Sequence, residues 1–336
     1  MRKIINAPEN FVHEVIDGII RAYGDRLKVL DDEERVILRK SPAKKGKVAI
    51  VTAGGSGHLP VFLGYVGEGM LDGCTIGNVF ASPSAQAMAK MIRAVDQGNG
   101  VLCLYGNYGG DSMNFQLACD TVEFDDDIVT RQVKVCDDVA SRSKEESDQR
   151  RGVAGMVYAF KVAGAAAEDM LSLDEVAAVA EEALANIRTI GVALSPCIIP
   201  DVGKATFSIN DDEIELGMGI HGEPGIEVRK MMTADEIADT LMAKITEDMP
   251  LNSGDEISVM VNGLGATPLE ELLIVYRRLH MKLQEKGISV FMPHIGEFAT
   301  SMEMAGLSVT FFKLNEKLKK YLRALGSTPF YTNENK

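Results

Sequence analysis

Twice in the first third of this sequence a short apolar run empties directly into a glycine-rich turn and is followed by a helical pattern. Lys47-Val48-Ala49-Ile50-Val51-Thr52 leads into Ala53-Gly54-Gly55-Ser56-Gly57-His58, and Gly100-Val101-Leu102-Cys103-Leu104-Tyr105 leads into Gly106-Asn107-Tyr108-Gly109-Gly110-Asp111. Strands alternating with helices imply βαβ units and a mainly parallel sheet. Open sheets of this kind bind ligands beyond the carboxyl ends of their strands, so one sheet edge can present both turns. Between the two runs, Ser82-Pro83 predicts the opening of a helix over 84–95, with serine at the cap and proline in the first turn. A third run, Gln132 to Cys136, ends in Asp137-Asp138.

A chain of 336 residues exceeds one hydrophobic core and predicts two domains. The expected fold class is α/β. Residues 1–190 would form a domain with a mainly parallel sheet flanked by helices, and 191–336 a smaller α/β (α+β) domain. The region from Arg151 to Arg188 reads as helix, with Ser172-Leu173-Asp174-Glu175 starting its second stretch. Beyond it, strands are expected over 256–261, 288–291 and 307–312. Thr267-Pro268-Leu269-Glu270 has the form of a capping box opening a helix to about Lys286. The acidic run Asp125-Asp126-Asp127 reads as a solvated loop, and the tail from Thr328 onward as loosely held.

A net charge of −14 argues against nucleic acid or an anionic membrane as partner, since both reward basic patches. No apolar run approaches the ~20 residues of a membrane span, and the start MRKIINAPEN lacks a signal peptide's apolar core. These features predict a cytoplasmic protein. The five cysteines are odd in number, show no C-x-x-C pair and read as reduced, mostly buried thiols.

The chemistry concentrates in three glycine frames. Besides the turns ending in His58 and Asp111, Gly217-Met218-Gly219-Ile220-His221-Gly222-Glu223-Pro224-Gly225 surrounds a second histidine. Glycine lets the backbone approach a ligand closely, and imidazole is the side chain most used for proton transfer near pH 7. Locally, His58 and His221 read equally as functional groups or as turn histidines bonded to their own backbone. Asp111 reads as a base or as a helix cap. His13 and His280 lie in helical patterns and read as surface or packing residues, whereas His294 follows a strand. Gly217, Gly219 and Gly222 formally spell a dinucleotide motif, but Pro224-Gly225 stands where its helix should open. Gly54-Gly55-Ser56-Gly57 lacks a phosphate-binding loop's lysine. No metal-ligand spacing is recognisable.

These three turns, together with Gly64-Tyr65, Arg150-Arg151-Gly152-Val153-Ala154 and Gly263-Leu264-Gly265-Ala266-Thr267-Pro268-Leu269, resemble the K-subunit family of dihydroxyacetone kinases. The Gly-Ile-His-Gly-Glu-Pro-Gly block is the most specific part. The resemblance implies that His221 adds to the ketone of a short ketose as a hemiaminal, Asp111 takes the proton of its terminal hydroxyl, and His58 hydrogen-bonds the substrate. Gly55, Ser56, Gly57 and Gly106 would line the substrate site. It implies no cofactor in this chain. ADP or ATP with magnesium would sit on a separate L-type subunit, recharged in some systems by a phosphotransferase-system phosphocarrier. It also implies a homodimer. Because the sequence stops at Lys336, the nucleotide module is expected on another protein. The sequence departs from the family pattern in placing Gly106 where lysine is usual, Gly109 for threonine and Leu59 for glutamate. Loss of the lysine is expected to open volume for a four-carbon ketose such as erythrulose. It also keeps alive the role of a ketose-binding coactivator of a transcription regulator, known elsewhere in the family.

Overall fold

A computed structural model describes residues 3–333. After a first helix, α1 (Phe11–Tyr23), come β1 (Leu27–Leu30), β2 (Glu33–Arg39), β3 (Ala49–Ser56), β4 (Gly73–Val79), α2 (Ala85–Val95), β5 (Val101–Gly106), α3 (Gly109–Asp126) and β6 (Thr130–Val135). These six strands form one sheet in the order β1-β2-β4-β3-β5-β6. The β4-β3-β5-β6 portion is parallel, and β1 and β2 join it as antiparallel strands. β3 and β5 are apolar along nearly their whole length because both faces are covered, the expected pattern for buried parallel strands.

Two helices follow, α4 (Met156–Glu168) and α5 (Leu173–Ala185). Every residue of α4 from Met156 to Ala167 is buried, so this alanine-rich helix is enclosed on all sides. The second sheet contains β7 (Ile187–Ser195), β8 (Glu213–Leu216), β9 (Glu227–Lys230), β10 (Glu256–Gly263), β11 (Ser289–Val290), β12 (His294–Gly296) and β13 (Ala305–Lys313). Its path runs β11-β10-β13-β7-β8-β9, with β12 also on β10. The helices α6 (Ala234–Asp248) and α7 (Leu269–Glu285) pack on it. Finally α8 (Glu316–Arg323) returns to the first core, where Leu318, Tyr321 and Leu322 join residues of α4 and β3.

Several local expectations are corrected. Ser84, not Ser82, caps α2, its hydroxyl accepting from the Ala87 N–H, and Pro83 precedes the cap. The cap of α7 is Pro268, with no side-chain bond. The Thr267 hydroxyl is engaged by the Gly306 carbonyl and N–H of β13, which removes it from the helix end. Asp125 and Asp126 form the last turn of α3 rather than a loop, pairing with Arg93, and Asp127 closes the helix in the left-handed region at φ 56°. The segment from Thr328 is anchored: its hydroxyl donates to the Gly64 carbonyl at 2.7 Å and the Tyr331 ring is buried. The last three residues of that tail, and the first two of the chain, lie outside the described residues. Ser172 and Glu175 do form a reciprocal capping box on α5. Cys74, Cys103, Cys119 and Cys197 are buried free thiols, and Cys136 is half-buried.

Candidate active site

The turn after β3 is fixed from both halves of the chain. A bulge at Gly55/Ser56 breaks the pairing with β4, a common device for aiming a side chain. Gly57 then takes φ 99°, a conformation that a residue with a Cβ rarely adopts. The segment 300–302, far away in sequence, zips onto this turn: Met302 N–H donates to the Gly57 carbonyl at 2.8 Å and Thr300 N–H to the His58 carbonyl at 3.2 Å. Next to it, the Ser301 hydroxyl donates to the Ile220 carbonyl. One short segment therefore ties the His58 turn to the His221 turn.

The two histidine rings meet edge to face, with centroids 4.7 Å apart. Phe80 stacks on His58 at 4.7 Å, and Tyr108 meets His221 edge-on, also at 4.7 Å. His58 is 1% exposed. Its Nδ1–H donates to the Thr300 carbonyl at 2.8 Å, which assigns the proton to Nδ1 and leaves Nε2 a bare acceptor. That Nε2 is buried with no protein partner. Burial, with the neighbouring His221, lowers the His58 pKa to about 3 against the opposing pull of the Thr300 bond and Glu223, so the ring is neutral.

His221 lies in the connection between β8 and β9. Its Nδ1 is 2.8 Å from Glu223 Oε1, and the other carboxylate oxygen accepts the His221 backbone N–H at 2.9 Å. Burial would raise the Glu223 carboxyl, but the His221 bond and charge, with help from Arg151, outweigh it and hold the pKa at about 2. Glu223 is thus an anion accepting the Nδ1 proton, and in the neutral form of this partly exposed ring the lone pair falls on Nε2.

Asp111 is the third residue of α3, whose cap is Tyr108, so it does not serve as the helix cap. Asp111 as a whole is 7% exposed, and its Oδ1 has no partner. Burial pushes its pKa up to about 6, against the Ser82 hydroxyl and the charge of His221. An unpaired buried carboxyl costs folding free energy, and such perturbed groups concentrate at functional sites.

Gly55, Ser56, Gly57 and His58 line a cavity of about 180 Å³ whose other walls include Phe11, Val15, Leu59 and Met302. The Ser56 hydroxyl is tied to the Gly77 carbonyl at 3.1 Å. Leu59 gives this cavity an apolar wall where the resembled family has glutamate. At Gly106 the expected extra volume is absent: a Cβ there would stand 3.2 Å from Met156 Sδ and from the Tyr108 ring. Tyr108 has filled the space. Gly109 is exposed at the start of α3, where a Cβ would meet nothing within 4 Å.

His294 does not reach this site. It is half-buried between Tyr158 and Tyr331, and the loss of solvent there lowers its pKa to about 4. His13 sits exposed on α1 beside Glu34, and His280 lies on α7 against Tyr276. Thr300, Ser301 and Phe80 escape a sequence reading because nothing local marks them. Glu223 had a signal, since a carboxylate two residues beyond a glycine-framed histidine is within reach of its ring.

Fold and site together define an α/β protein with two large sheets, built around an oriented imidazole pair and a buried carboxyl. The Dak1 domain matches residues 17–330, and the chain belongs to that family. It is 44% identical over 314 residues to the PTS-dependent dihydroxyacetone kinase, dihydroxyacetone-binding subunit DhaK, of Lactococcus lactis, covering 94% of both chains. It is 40% identical to the L-erythrulose kinase of Pectobacterium atrosepticum, covering 98% of this chain and 56% of that protein. Among solved structures, the dihydroxyacetone kinase of C. freundii superposes with a TM-score of 0.90 at 32% identity, covering 99% of this chain and 60% of that one. A dihydroxyacetone kinase operon co-activator superposes at 0.89, also at 32% identity, covering 96% of this chain and 98% of that one.

Proposed function

We propose that this chain is the ketose-binding subunit of a dihydroxyacetone-type kinase, holding its substrate as a hemiaminal on His221. The observation that carries this reading is the commitment of the His221 Nδ1 proton to Glu223, which leaves Nε2 as the nucleophile. Nε2 adds to the ketone carbon, the C=O π pair moves to oxygen, and that oxygen takes a proton from water to become a hydroxyl, releasing hydroxide to the solvent. The imidazolium so formed keeps its Nδ1–H on the Glu223 carboxylate, which offsets its charge. Glycerol, without a carbonyl, cannot make this bond.

His58 Nε2, a bare acceptor, receives a hydrogen bond from a ketose hydroxyl. Asp111 takes the proton of the terminal hydroxyl as that oxygen attacks phosphorus, a role its unpartnered oxygen and raised pKa suit. We place nucleotide and magnesium on a separate L-type subunit, charged by ATP or by a phosphotransferase-system phosphocarrier. The C. freundii kinase solved with AMP-PNP and Mg2+ supports a nucleotide donor. Among the described residues, no group of three His, Cys, Asp or Glu side chains is placed to hold a metal. The working unit is a homodimer in the cytoplasm; among the described residues no helix is long and apolar enough to cross a membrane.

The test is intact-protein mass spectrometry with dihydroxyacetone, followed by turnover with an L subunit and phosphoryl donor. His221→Ala should lose the mass increment. Asp111→Ala should keep it and lose turnover by about 10²-fold or more. An increment retained by His221→Ala overturns the covalent reading. Two alternatives have observations of their own. The co-activator likeness favours a sensor, which predicts an adduct but no product with any L subunit. The erythrulose kinase relatives favour a four-carbon ketose, which a clear kinetic preference for dihydroxyacetone would exclude.

A further inference from the structure

Arg151 belongs to the first half of the chain yet reaches the turn that carries His221. On its own side it is held three ways. Its backbone N–H donates to the Ser141 hydroxyl at 3.0 Å, its carbonyl accepts from Asp138 N–H at 3.1 Å, and its Nε donates to Asp138 Oδ2 at 2.9 Å. Asp138 follows β6 and is itself buried, with a carboxylate oxygen also accepting the Ala140 N–H. On the far side, Nη2 donates to the Gly217 carbonyl at 3.0 Å, where the His221 turn begins. The remaining nitrogen, Nη1, lies over Gly219 on the side of Glu223 Oε2 without pairing with it, and a Cβ on Gly219 would stand 2.6 Å from the nitrogen and 2.2 Å from the oxygen. The missing side chain at Gly219 is what lets a guanidinium and a carboxylate flank the same backbone point.

We propose that Arg151, anchored by Asp138, is a positioning residue for His221: it holds the Gly217 carbonyl at the start of the turn and sets its positive charge toward Glu223, so that the imidazole keeps its proton on Nδ1 and its lone pair on Nε2. This rests on the hemiaminal reading for its purpose, but not for its geometry. Glu223 is pinned by His221 on one side only, through the ring and the backbone N–H. The guanidinium sets a fixed positive charge on the other side of the carboxylate, and its planar fork holds Asp138 and the Gly217 carbonyl at once in one rigid geometry. The other ionisable groups around this pair are His58, Tyr108, Asp111 and Asp137. None of them contacts Glu223 as a hydrogen-bond donor among the described residues.

The experiment compares wild type, Arg151→Lys, Arg151→Gln and the double variant Asp138→Asn/Arg151→Gln. Nitrogen NMR of ¹⁵N-histidine-labelled protein without ketose reads the His221 tautomer, and mass spectrometry then reads the rate of adduct formation. Arg151→Gln should show mixed tautomers and form adduct about 10- to 100-fold more slowly, the scale expected when a reacting group is loosely held. Phosphoryl transfer from adduct already formed should stay within about twofold, because Asp111 is untouched. Arg151→Lys should recover part of the rate. The double variant removes both charges, so it carries the test if a lone buried Asp138 unfolds the single variant. A wild-type tautomer and rate in Arg151→Gln overturn the proposal. If wild type forms no adduct at all while its tautomer still depends on Arg151, the hemiaminal reading fails and the positioning role stands.

Discussion

At the scale of single residues, the site works by withholding partners. Asp111 has a free oxygen, His58 a free Nε2, and His221 a free Nε2 enforced by Glu223. The raised Asp111 value gives a directed expectation. A base must be ionised to accept a proton, and burial, against the pulls of Ser82 and His221, brings this carboxyl up to about 6. Phosphoryl transfer from adduct already formed should therefore fall as pH drops through about 6. A pH–rate profile of phosphoryl transfer that stays flat down to pH 5 would contradict this assignment. The sequence shows which residues are unusual, because glycine on both sides of a histidine is visible in one dimension. It does not show protonation, since the carbonyl that settles the His58 tautomer belongs to Thr300, 242 positions away.

At the scale of elements, propensity and packing disagree at informative places. Thr267 has the local form of a cap, yet its hydroxyl bonds β13 instead. Gly164 in the middle of α4 looks like a flaw in a helix, since alanine there would gain about 1 kcal/mol of helix propensity. The structure reverses that sign. A Cβ on Gly164 would stand 2.5 Å from the Gly69 carbonyl oxygen and from Met70 Cα, which are main-chain atoms that cannot swing aside. Gly164→Ala should destabilise by about 1–3 kcal/mol, the usual cost of overpacking, measured by urea unfolding. Unchanged or increased stability would show that α4 can move away from the 69–70 segment.

At the scale of the whole molecule, the two sheets are joined by charge as well as by apolar contact. Arg150, from the first half, is 2% exposed and places its guanidinium on the Asp248 carboxylate at the end of α6, where Arg188 of β7 also bonds. Burial alone would raise the Asp248 carboxyl, but the two arginines overcome it and hold its pKa below the ordinary value. A depressed folded-state carboxylate adds stability that is present in full above its unfolded pKa of about 4 and is lost as pH falls through the lower folded value. Asp248→Ala leaves Arg150 buried without its partner and should cost about 3–5 kcal/mol in chemical unfolding. A loss below 1 kcal/mol would mean that the arginine finds solvent. The sequence by itself determined the α/β character, the three glycine frames and the residue types within them, because periodicity, turn chemistry and composition are local properties. Only the tertiary structure decided that Thr300 and Ser301 clamp two turns together, that Tyr108 closes the space at Gly106, and that Arg151 reaches the His221 turn. Those facts depend on which surfaces meet when the chain folds back on itself, and separation along the chain carries no record of that meeting.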